Sequence, residues 1–317
     1  MTLFTIENRE FGWDEIVVAA QVWGEWQVLF ESVRHSLACL RLAAQIGQLP
    51  STAEMREAAK AFRYERNLIS GDETQIWLQR WGMSVEEWMD CLRGQLLRKR
   101  WASRVNEIKA AMPIVDADVN EVIKRYAVCA SKVDDWAQKL AGRAALAAKS
   151  AGLISGSGSS RDLIDRIENE FERQRNQTIN VKLIETKIFD HRLDWIHYEC
   201  RYLWLADERV AREAAWCVSE DGFTLDEAAI AAHGEVRQWS FYADELEASV
   251  RPYFVAARKG DLLGPLRFAS GYPLFSVLQK RMPAASDPEI LSRAEQAIVA
   301  NLTAQAINER VRWVAFA

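Results

Sequence analysis

The sequence predicts an α+β protein with a mostly helical N-terminal half and a smaller C-terminal half that contains a sheet. In the first half, hydrophobic residues recur at helical spacing, and three helix-capping motifs stand close together. From Trp195 the spacing changes to strict alternation, which is typical of a half-buried strand. Near the C-terminus, the segment 256–283 places Gly- and Pro-containing turns between apolar runs.

The helices of the first half are predicted mainly from their N-terminal signals. In each capping motif a Ser is followed three residues later by a Glu, and the two side chains satisfy free N–H groups at a helix start. The pairs are Ser51 with Glu54, Ser70 with Glu73 and Ser84 with Glu87. Two longer helices are expected over about 13–46 and 118–149, and no strand is expected before residue 150.

A low-complexity tract at 155–160, with the sequence SGSGSS, separates the two halves. Such Gly/Ser composition predicts a linker or an exposed loop, so a domain boundary is expected there. A helix with Ile164, Ile167 and Phe171 on one face follows it. The pattern of 178–190 fits either a strand or a continued helix, and both interpretations stay open.

The second half predicts the element order β-α-α-β-α-β-β. Its first strand has Ile196, Tyr198, Cys200, Tyr202 and Trp204 on one side. Two helices follow, and the second begins at a further capping motif in 224–227. A short strand then carries Trp239 and Phe241, and a helix with Leu246, Val250 and Phe254 on one face is expected to end at Gly260. A strand from about Leu262, a turn at 269–271 and a closing strand over 272–281 complete the order.

A last helix is predicted after Pro283. It begins at a capping motif in 286–289, and its apolar residues recur every four positions toward Trp313. A helix of this length needs a surface to pack against. We therefore expect it to return to the N-terminal helical domain.

Composition excludes several classes of function. The net charge of −5 and the pI near 5.6 argue against nucleic-acid binding, and no segment has the roughly 20 apolar residues of a membrane span. The N-terminus becomes charged before any apolar run, so neither a signal peptide nor a lipoprotein anchor is expected, and no membrane insertion is expected either. The five cysteines are scattered without a Cys-x-x-Cys pair, which favours reduced thiols and a cytoplasmic location. Thirteen tryptophans are expected to build the core or to line an apolar groove.

The segment 256–283 resembles the closing part of a parvulin-type (PpiC-like) peptidyl-prolyl isomerase domain. The resemblance lies in the order of a helix, the sequence GDLLGP, and then SGY before an apolar strand. The wider arrangement is similar to that of SurA-like and PrsA-like foldases. It implies a helical SurA-like domain over 1–154, a linker and connecting helix over 155–190, a parvulin-like domain over 191–283, and a C-terminal helix over 284–317 that packs on the first domain.

The resemblance also implies where catalytic groups would lie. The family uses a His on the first strand, a Cys or Asp after the second helix and a His on the last strand. In this chain these positions fall on Tyr202, within 228–232, and on Pro273, so no catalytic residue is assigned. The apolar bowl that would hold a proline ring is retained, and the expected peptide-binding residues are Tyr202, Trp239, Phe241, Leu246, Val250 and Pro273. An alternative is that these side chains only fill the core of the domain.

The resemblance therefore implies a peptide-binding chaperone or adaptor with weak or no isomerase activity. It would serve an unfolded or precursor peptide, in a maturation or export system that includes a peptide-modifying enzyme or a transporter. An active prolyl isomerase and a structural subunit of a peptide-modifying complex are the alternatives. No cofactor is expected. No metal site is assigned to His191, His197 and Glu199, because no further ligand is suitably spaced, and no nucleophile elbow indicates a hydrolase.

Overall fold

The computed structural model describes residues 1–150, 152–154 and 158–314 of the chain. The described residues are mostly helical, with two small antiparallel sheets. The strands are β1 (Thr2–Ile6), β2 (Arg9–Gly12), β3 (His197–Leu203), β4 (Val236–Tyr242), β5 (Leu262–Leu263), β6 (Leu274–Arg281) and β7 (Val311–Trp313). This confirms the predicted α+β class with a helical majority and a C-terminal helix.

Fourteen α-helices lie among the described residues. The first eight are α1 (Trp13–Val22), α2 (Glu25–Gln45), α3 (Thr52–Glu65), α4 (Gly71–Trp81), α5 (Val85–Arg100), α6 (Val105–Ala111), α7 (Asp116–Cys129) and α8 (Lys132–Ala147). The others are α9 (Ser160–Thr178), α10 (Val181–Asp190), α11 (Glu208–Ser219), α12 (Leu225–Ala231), α13 (Arg251–Ala256) and α14 (Pro288–Arg310). None of these helices is long and apolar enough to cross a membrane.

The chain divides into two compact units. Unit 1 comprises residues 1–175 and 302–317, and unit 2 comprises residues 176–301. The boundary runs through α9 and α14, each of which contributes residues to both units. The domain bounds expected from the sequence stay a prediction about which parts of the chain fold independently. Part of the linker expected at 155–160, residues 155–157, lies outside the described residues.

Unit 1 is a helical assembly with a three-stranded sheet in the order β2-β1-β7. The helix α2 contacts α5, α6 and α7, so it forms the centre of the assembly. Trp136 of α8 is fully buried, and its Nε1–H donates to the Glu25 carboxylate at 2.6 Å. Lys139 donates to the other oxygen of the same carboxylate at 2.6 Å, so this polar group is paired on both sides.

The C-terminal segment returns to the N-terminal helices, as expected. β7 pairs with β1 so that Phe4 lies opposite Trp313, and the two rings meet edge to face with centroids 5.5 Å apart. Where α14 meets α8, Gly142 provides the space: a Cβ atom there would lie only 2.9 Å from the Thr303 Cβ. The C-terminal part of α14 and strand β7 therefore belong to the core and the sheet of unit 1.

Four of the five predicted capping motifs are present, at α3, α4, α5 and α12. The segment 178–190, for which the sequence left strand and helix undecided, contains the helix α10, whose N-terminus is capped by the Asn180 side chain. The last helix starts at Pro288, and its cap is Asp287, which accepts from the Glu289 N–H at 2.9 Å. The motif predicted at 286–289 was therefore one residue out of register.

Several sequence-based predictions were wrong. The β1–β2 hairpin contradicts the expectation of no strand before residue 150. The helices expected over 13–46 and 118–149 are each two helices, interrupted at Gly24 and Ser131, whose φ angles of 73° and 56° are left-handed. The helix expected to reach Gly260 ends at Ala256.

We predict that Trp313→Ala lowers the free energy of unfolding by about 2–3 kcal/mol, because it removes a half-buried ring from the β1–β7 pair. The matched control is Trp216→Ala, since that ring is 72% exposed and its loss should change stability by less than about 0.5 kcal/mol. Denaturant unfolding followed by circular dichroism measures both. Equal stability of the two variants would contradict the assignment of Trp313 to the core of unit 1.

Candidate functional site

The sheet of unit 2 has the order β4-β3-β6-β5, and all its pairs are antiparallel. β3 is central and is hydrogen-bonded to β4 on one side and β6 on the other. Alternation along β3 directs Tyr198, Cys200 and Tyr202 to one face and Leu203 to the other. The first face is covered by residues 243–257 and by Leu266, whereas α11 and α12 cover the second.

Five aromatic side chains lie together on the first face, and we call them the aromatic cluster: Tyr202, Trp204, Trp239, Phe268 and Phe275. The Tyr202 ring is central, with centroid distances of 6.5 Å to Trp204, 6.4 Å to Trp239 and 5.8 Å to Phe275. Phe268 closes the cluster at 5.5 Å from Trp204 and 6.2 Å from Phe275. Phe275 is fully buried, while the other four rings keep part of their surface exposed.

The residues predicted to bind peptide divide into two layers. Tyr202 and Trp239 belong to the aromatic cluster and are partly exposed. Phe241, Leu246 and Val250 are in the same hydrophobic core but are 1%, 4% and 3% exposed. These three side chains therefore support the cluster from beneath and present almost no surface of their own.

Two of these residues differ in backbone context from the prediction. Leu246 and Val250 were expected on a helix, but they lie in the segment between the short 3₁₀ turn at 243–245 and α13. Leu246 is extended, with ψ at 148°, and α13 starts only at Arg251, where Pro252 favours a helix start. Their burial follows from the apolar spacing, which is compatible with a turn as well as with a helix.

Pro273 is buried immediately before β6. Its carbonyl oxygen accepts the Leu266 N–H at 3.0 Å, which ties the segment before β6 to the segment after β5. Gly264 makes this approach possible, because a Cβ there would lie 2.6 Å from the same oxygen. Pro273 therefore lies where the segment before β6 packs closely against the segment after β5.

Trp204, Phe268 and Phe275 were not among the predicted site residues. Trp204 continues the alternation of β3, and Phe275 alternates with Pro273. Selecting every second residue along these two strands would therefore have included both side chains. Phe268 lies in a Gly/Pro-rich segment without regular structure. No periodicity indicates its position there.

The position of Trp204 depends on Gly271. The Trp204 Nε1–H donates to the Ser270 carbonyl at 3.2 Å, and the Tyr272 N–H donates to the Leu205 carbonyl at 2.7 Å. A Cβ on Gly271 would lie 2.5 Å from Trp204 Nε1 and 2.7 Å from the Leu205 oxygen. The predicted turn at 269–271 therefore holds an aromatic ring as well as reversing the chain.

Two ionisable groups under the aromatic cluster, Cys200 and Tyr198, are neutral. Burial raises the pKa of the Cys200 thiol to about 12 and the pKa of Tyr198 to about 12. The Tyr198 hydroxyl donates to the Phe254 carbonyl at 2.8 Å. Residues 228–232, where the resemblance would place a Cys or Asp, belong to α12 and the residue after it, and the buried Ala228 and Ala229 face the opposite side of the sheet.

A polar group lies on the other face, around His197. Its Nδ1 is 3.0 Å from an Arg281 nitrogen, and its Nε2 is 2.8 Å from the Ser240 hydroxyl. Because Arg281 can only donate, Nδ1 must accept, and a neutral ring then carries its hydrogen on Nε2. In this tautomer His197 donates to Ser240 and does not remove its proton, so the pair lacks the geometry of an activated nucleophile.

Arg281 also donates to Glu199 at 2.9 Å. His191 lies elsewhere, with its ring stacked on Trp195 at 4.6 Å. Within the described parts of the chain, no group of three His, Cys, Asp or Glu residues is placed to hold a metal ion.

β4 forms one edge of the sheet among the described strands. Trp239 lies on this strand, so the aromatic cluster reaches the edge. Arg237 and Gln238 are exposed there, and Arg237 is paired with Glu235 at 2.9 Å. An edge strand has unpaired backbone donors and acceptors that can bind a further extended chain.

We predict that Gly271→Ala destabilises the protein by about 2–3 kcal/mol, because the added methyl group meets both a ring and a backbone oxygen. Gly260→Ala is the control: Gly260 has a φ of 93°, but no atom lies near its absent Cβ, so only about 1 kcal/mol of backbone strain is expected. Thermal or denaturant unfolding compares the two. A smaller effect for Gly271→Ala than for Gly260→Ala would contradict the packing of Trp204.

We also predict that one of the five thiols reacts much faster than the others in the native protein. Cys217 is partly exposed, whereas Cys39, Cys91, Cys129 and Cys200 are buried. A colorimetric thiol reagent at mildly alkaline pH should show one rapid equivalent, which Cys217→Ser removes. Rapid modification of Cys200 would show that the region under the aromatic cluster opens readily.

Comparison with known proteins does not assign the chain to a family. No protein-family model matches it, and a search of curated proteins finds no significant match. One solved structure that matches comes from work on the virulence factor PEB4 and the periplasmic protein Cj1289, described as two structurally related SurA-like chaperones in the human pathogen Campylobacter jejuni. The two chains are 7% identical, each is covered over 99% of its length, and the TM-score is 0.19. A TM-score of this size does not establish a shared fold, so no residue role or activity is taken from it.

Proposed function

We propose that the protein is a peptide-binding chaperone or adaptor that holds an extended, apolar or proline-containing segment on the aromatic cluster. The observation that carries this proposal is the partly exposed set of Tyr202, Trp204 and Trp239 beside the unpaired edge of β4. An extended peptide can pair its backbone with such an edge, while alternate side chains contact the neighbouring surface. Flat aromatic rings bind apolar side chains and proline rings through a large contact area.

Prolyl isomerisation is not part of the proposal. Rotation about an X-Pro bond has a barrier of about 18–20 kcal/mol, and a parvulin-like site lowers it with polar groups beside the amide. By the resemblance, Tyr202 and Pro273 would take two of the three expected polar positions, and the Tyr198 and Cys200 groups under the cluster are neutral. Apart from the Tyr202 hydroxyl and the two indole N–H groups, the five side chains of the cluster offer apolar contact, which suits binding.

The observed order β3-α11-α12-β4-α13-β5-β6 supports the resemblance to a parvulin-like domain on which the proposal draws. The proposed client is an unfolded or precursor peptide, and the proposed partners are a peptide-modifying enzyme or a transporter that receives it. The proposed compartment is the cytoplasm. It is consistent with five free cysteines, four of them buried.

A structural subunit of a peptide-modifying complex is the second candidate. One observation favours it: Trp216 and Ile230, on α11 and α12, are 72% and 75% exposed. Between these helices lies a cleft of about 270 Å³ lined by Val210, Ala214, Cys217 and Ala228 among others. Exposed apolar surface of this kind is typical of an interface with another protein.

Binding of a labelled, unstructured, proline-containing peptide separates the two candidates. We expect Trp239→Ala to weaken binding at least about tenfold, as for a central aromatic contact. Trp239→Phe should lose less, because it keeps the packing on Tyr202 and Phe275. The matched control, Trp216→Ala, should bind as the wild type does, and fluorescence anisotropy measures all four proteins.

The opposite pattern, in which only Trp216→Ala affects peptide binding, would contradict the proposal and favour an interface on α11 and α12. Circular dichroism of each variant separates loss of binding from loss of folding.

Proline-isomer exchange on the same peptide tests the absence of catalysis. Spontaneous exchange takes tens to hundreds of seconds, and we expect the protein not to accelerate it. Clear acceleration that is abolished by changing Leu246 or Trp239 would overturn the proposed function in favour of an active isomerase.

A further inference from the structure

Unit 1 contains a cleft of about 570 Å³ whose lining is unusually rich in hydrogen-bond donors. It lies between α2, α5 and the residues that join α7 to α8. Its cationic lining residues are Arg66, Arg98 and Lys99, against a single carboxylate from Glu65. This excess of positive charge occurs in a chain whose net charge is −5.

The cations of the cleft differ in how they are held. Arg66 is structural: its guanidinium donates to the Cys129 carbonyl and to the Ser131 hydroxyl, both at 2.7 Å, and stacks on Phe62. Arg98 and Lys99 form no ion pair with a carboxylate of the described residues. Two adjacent cations on α5 are therefore available to an anionic ligand.

Three buried polar atoms of the lining have no hydrogen-bond partner in the described parts of the chain. They are His35 Nε2, Arg98 Nε and the Tyr126 hydroxyl. Tyr126 is only 5% exposed, and its hydroxyl lies beside Gly94, where a Cβ would be 2.2 Å away. A buried polar atom without a partner costs about 1–3 kcal/mol, so three around one cleft indicate a ligand that would satisfy them.

All three groups can donate a hydrogen bond. Burial raises the pKa of Tyr126, so its hydroxyl keeps its proton. Burial lowers the pKa of His35, which favours a neutral ring with one N–H. A carboxylate has enough lone pairs to accept from a phenol, an imidazole and a guanidinium at once, and the cationic guanidinium favours a charged acceptor over a neutral one.

Arg98 lines the cleft together with the exposed Lys99 and with the buried donors of His35 and Tyr126. Its charge acts on both His35 and Tyr126. Because Arg98 forms no ion pair with a carboxylate of the described residues, a ligand does not have to displace one. The wall also has an apolar part, which includes Leu29, Ala102 and Val105.

From this arrangement we infer that the cleft binds a small organic anion with a carboxylate at one end and an apolar body. Once the Arg98 side chain turns toward it, the carboxylate contacts His35, Arg98 and Tyr126, with the charge of Lys99 nearby, and the body packs on the apolar part of the wall. The volume is within the range of clefts that bind small molecules. The site lies entirely within unit 1, so it does not depend on peptide binding by unit 2.

Calorimetry with two matched compounds tests the inference. 4-Phenylbutyrate and 4-phenylbutylamine share the apolar body and carry opposite charges. We expect 4-phenylbutyrate to bind in a 1:1 complex with a Kd below about 1 mM, and we expect neither the amine nor inorganic phosphate to bind. Equal binding of the amine, binding of inorganic phosphate alone, or no binding of 4-phenylbutyrate would each overturn the inference.

Two variants locate the site. Arg98→Met keeps the aliphatic stem and should weaken binding at least about tenfold by removing a charge-assisted contact. Tyr126→Phe removes only the hydroxyl, and we expect it to weaken binding roughly fivefold without lowering stability, because that hydroxyl has no partner to lose.

The control is Arg93→Met, since Arg93 is on the same helix, pairs with Asp90 and does not line the cleft. Wild-type affinity in both Arg98→Met and Tyr126→Phe would place any bound 4-phenylbutyrate elsewhere and contradict the site.

Discussion

The structure of unit 2 depends on β3, which is the only described strand of its sheet that is paired along its whole length on both sides. All seven of its residues have partners on β4 and on β6. Its side chains pack on two separate hydrophobic cores, one on each face. Neither β4 nor β6 could be positioned without it, and the aromatic cluster spans all three strands. Removing apolar surface from water on both faces is the main stabilising contribution, at about 25 cal/mol per Å².

The same packing determines what chemistry the aromatic cluster can perform. Phe241, Leu246 and Val250 pack beneath the aromatic cluster and give this region a low polarity. The Tyr198 and Cys200 side chains buried there are therefore uncharged. The polar side chains of β3 face the other way, where His197 and Glu199 are paired with Arg281. The imidazole and the carboxylate of β3 are therefore on the opposite face of the sheet from the aromatic cluster. This separation favours binding of a peptide over rearrangement of its bonds.

Sequence patterns predicted those elements of the fold that depend on interactions between residues close together in the chain. The Ser-x-x-Glu pairs located the starts of α3, α4 and α5, because a capping box needs only residues four positions apart or fewer. Alternation at 196–204 gave β3 and its two faces. The β1–β2 hairpin was missed because its stability comes partly from β7, some 300 residues away, through Phe4 and Trp313. Leu246 and Val250 were placed on a helix because spacing alone does not distinguish a buried turn from a helical face.

The residues of the candidate sites could likewise be predicted only where a local pattern of the sequence determines their position. Tyr202 and Trp239 could be selected from their strands, but Phe268 joins them only through the fold of the segment after β5. The donor-lined cleft of unit 1 had no sequence signal, since His35, Arg98 and Tyr126 come from three helices and appear in the sequence as ordinary helix residues.

The most direct test of peptide binding at the aromatic cluster uses the tryptophan indole N–H resonances of ¹⁵N-labelled protein. Titration with an unstructured proline-containing peptide should shift the Trp204 and Trp239 signals progressively and leave the Trp216 signal unchanged. Substitution of each tryptophan in turn assigns the signals. A shift confined to Trp216, or no shift at Trp204 and Trp239 under saturating peptide, would contradict the account.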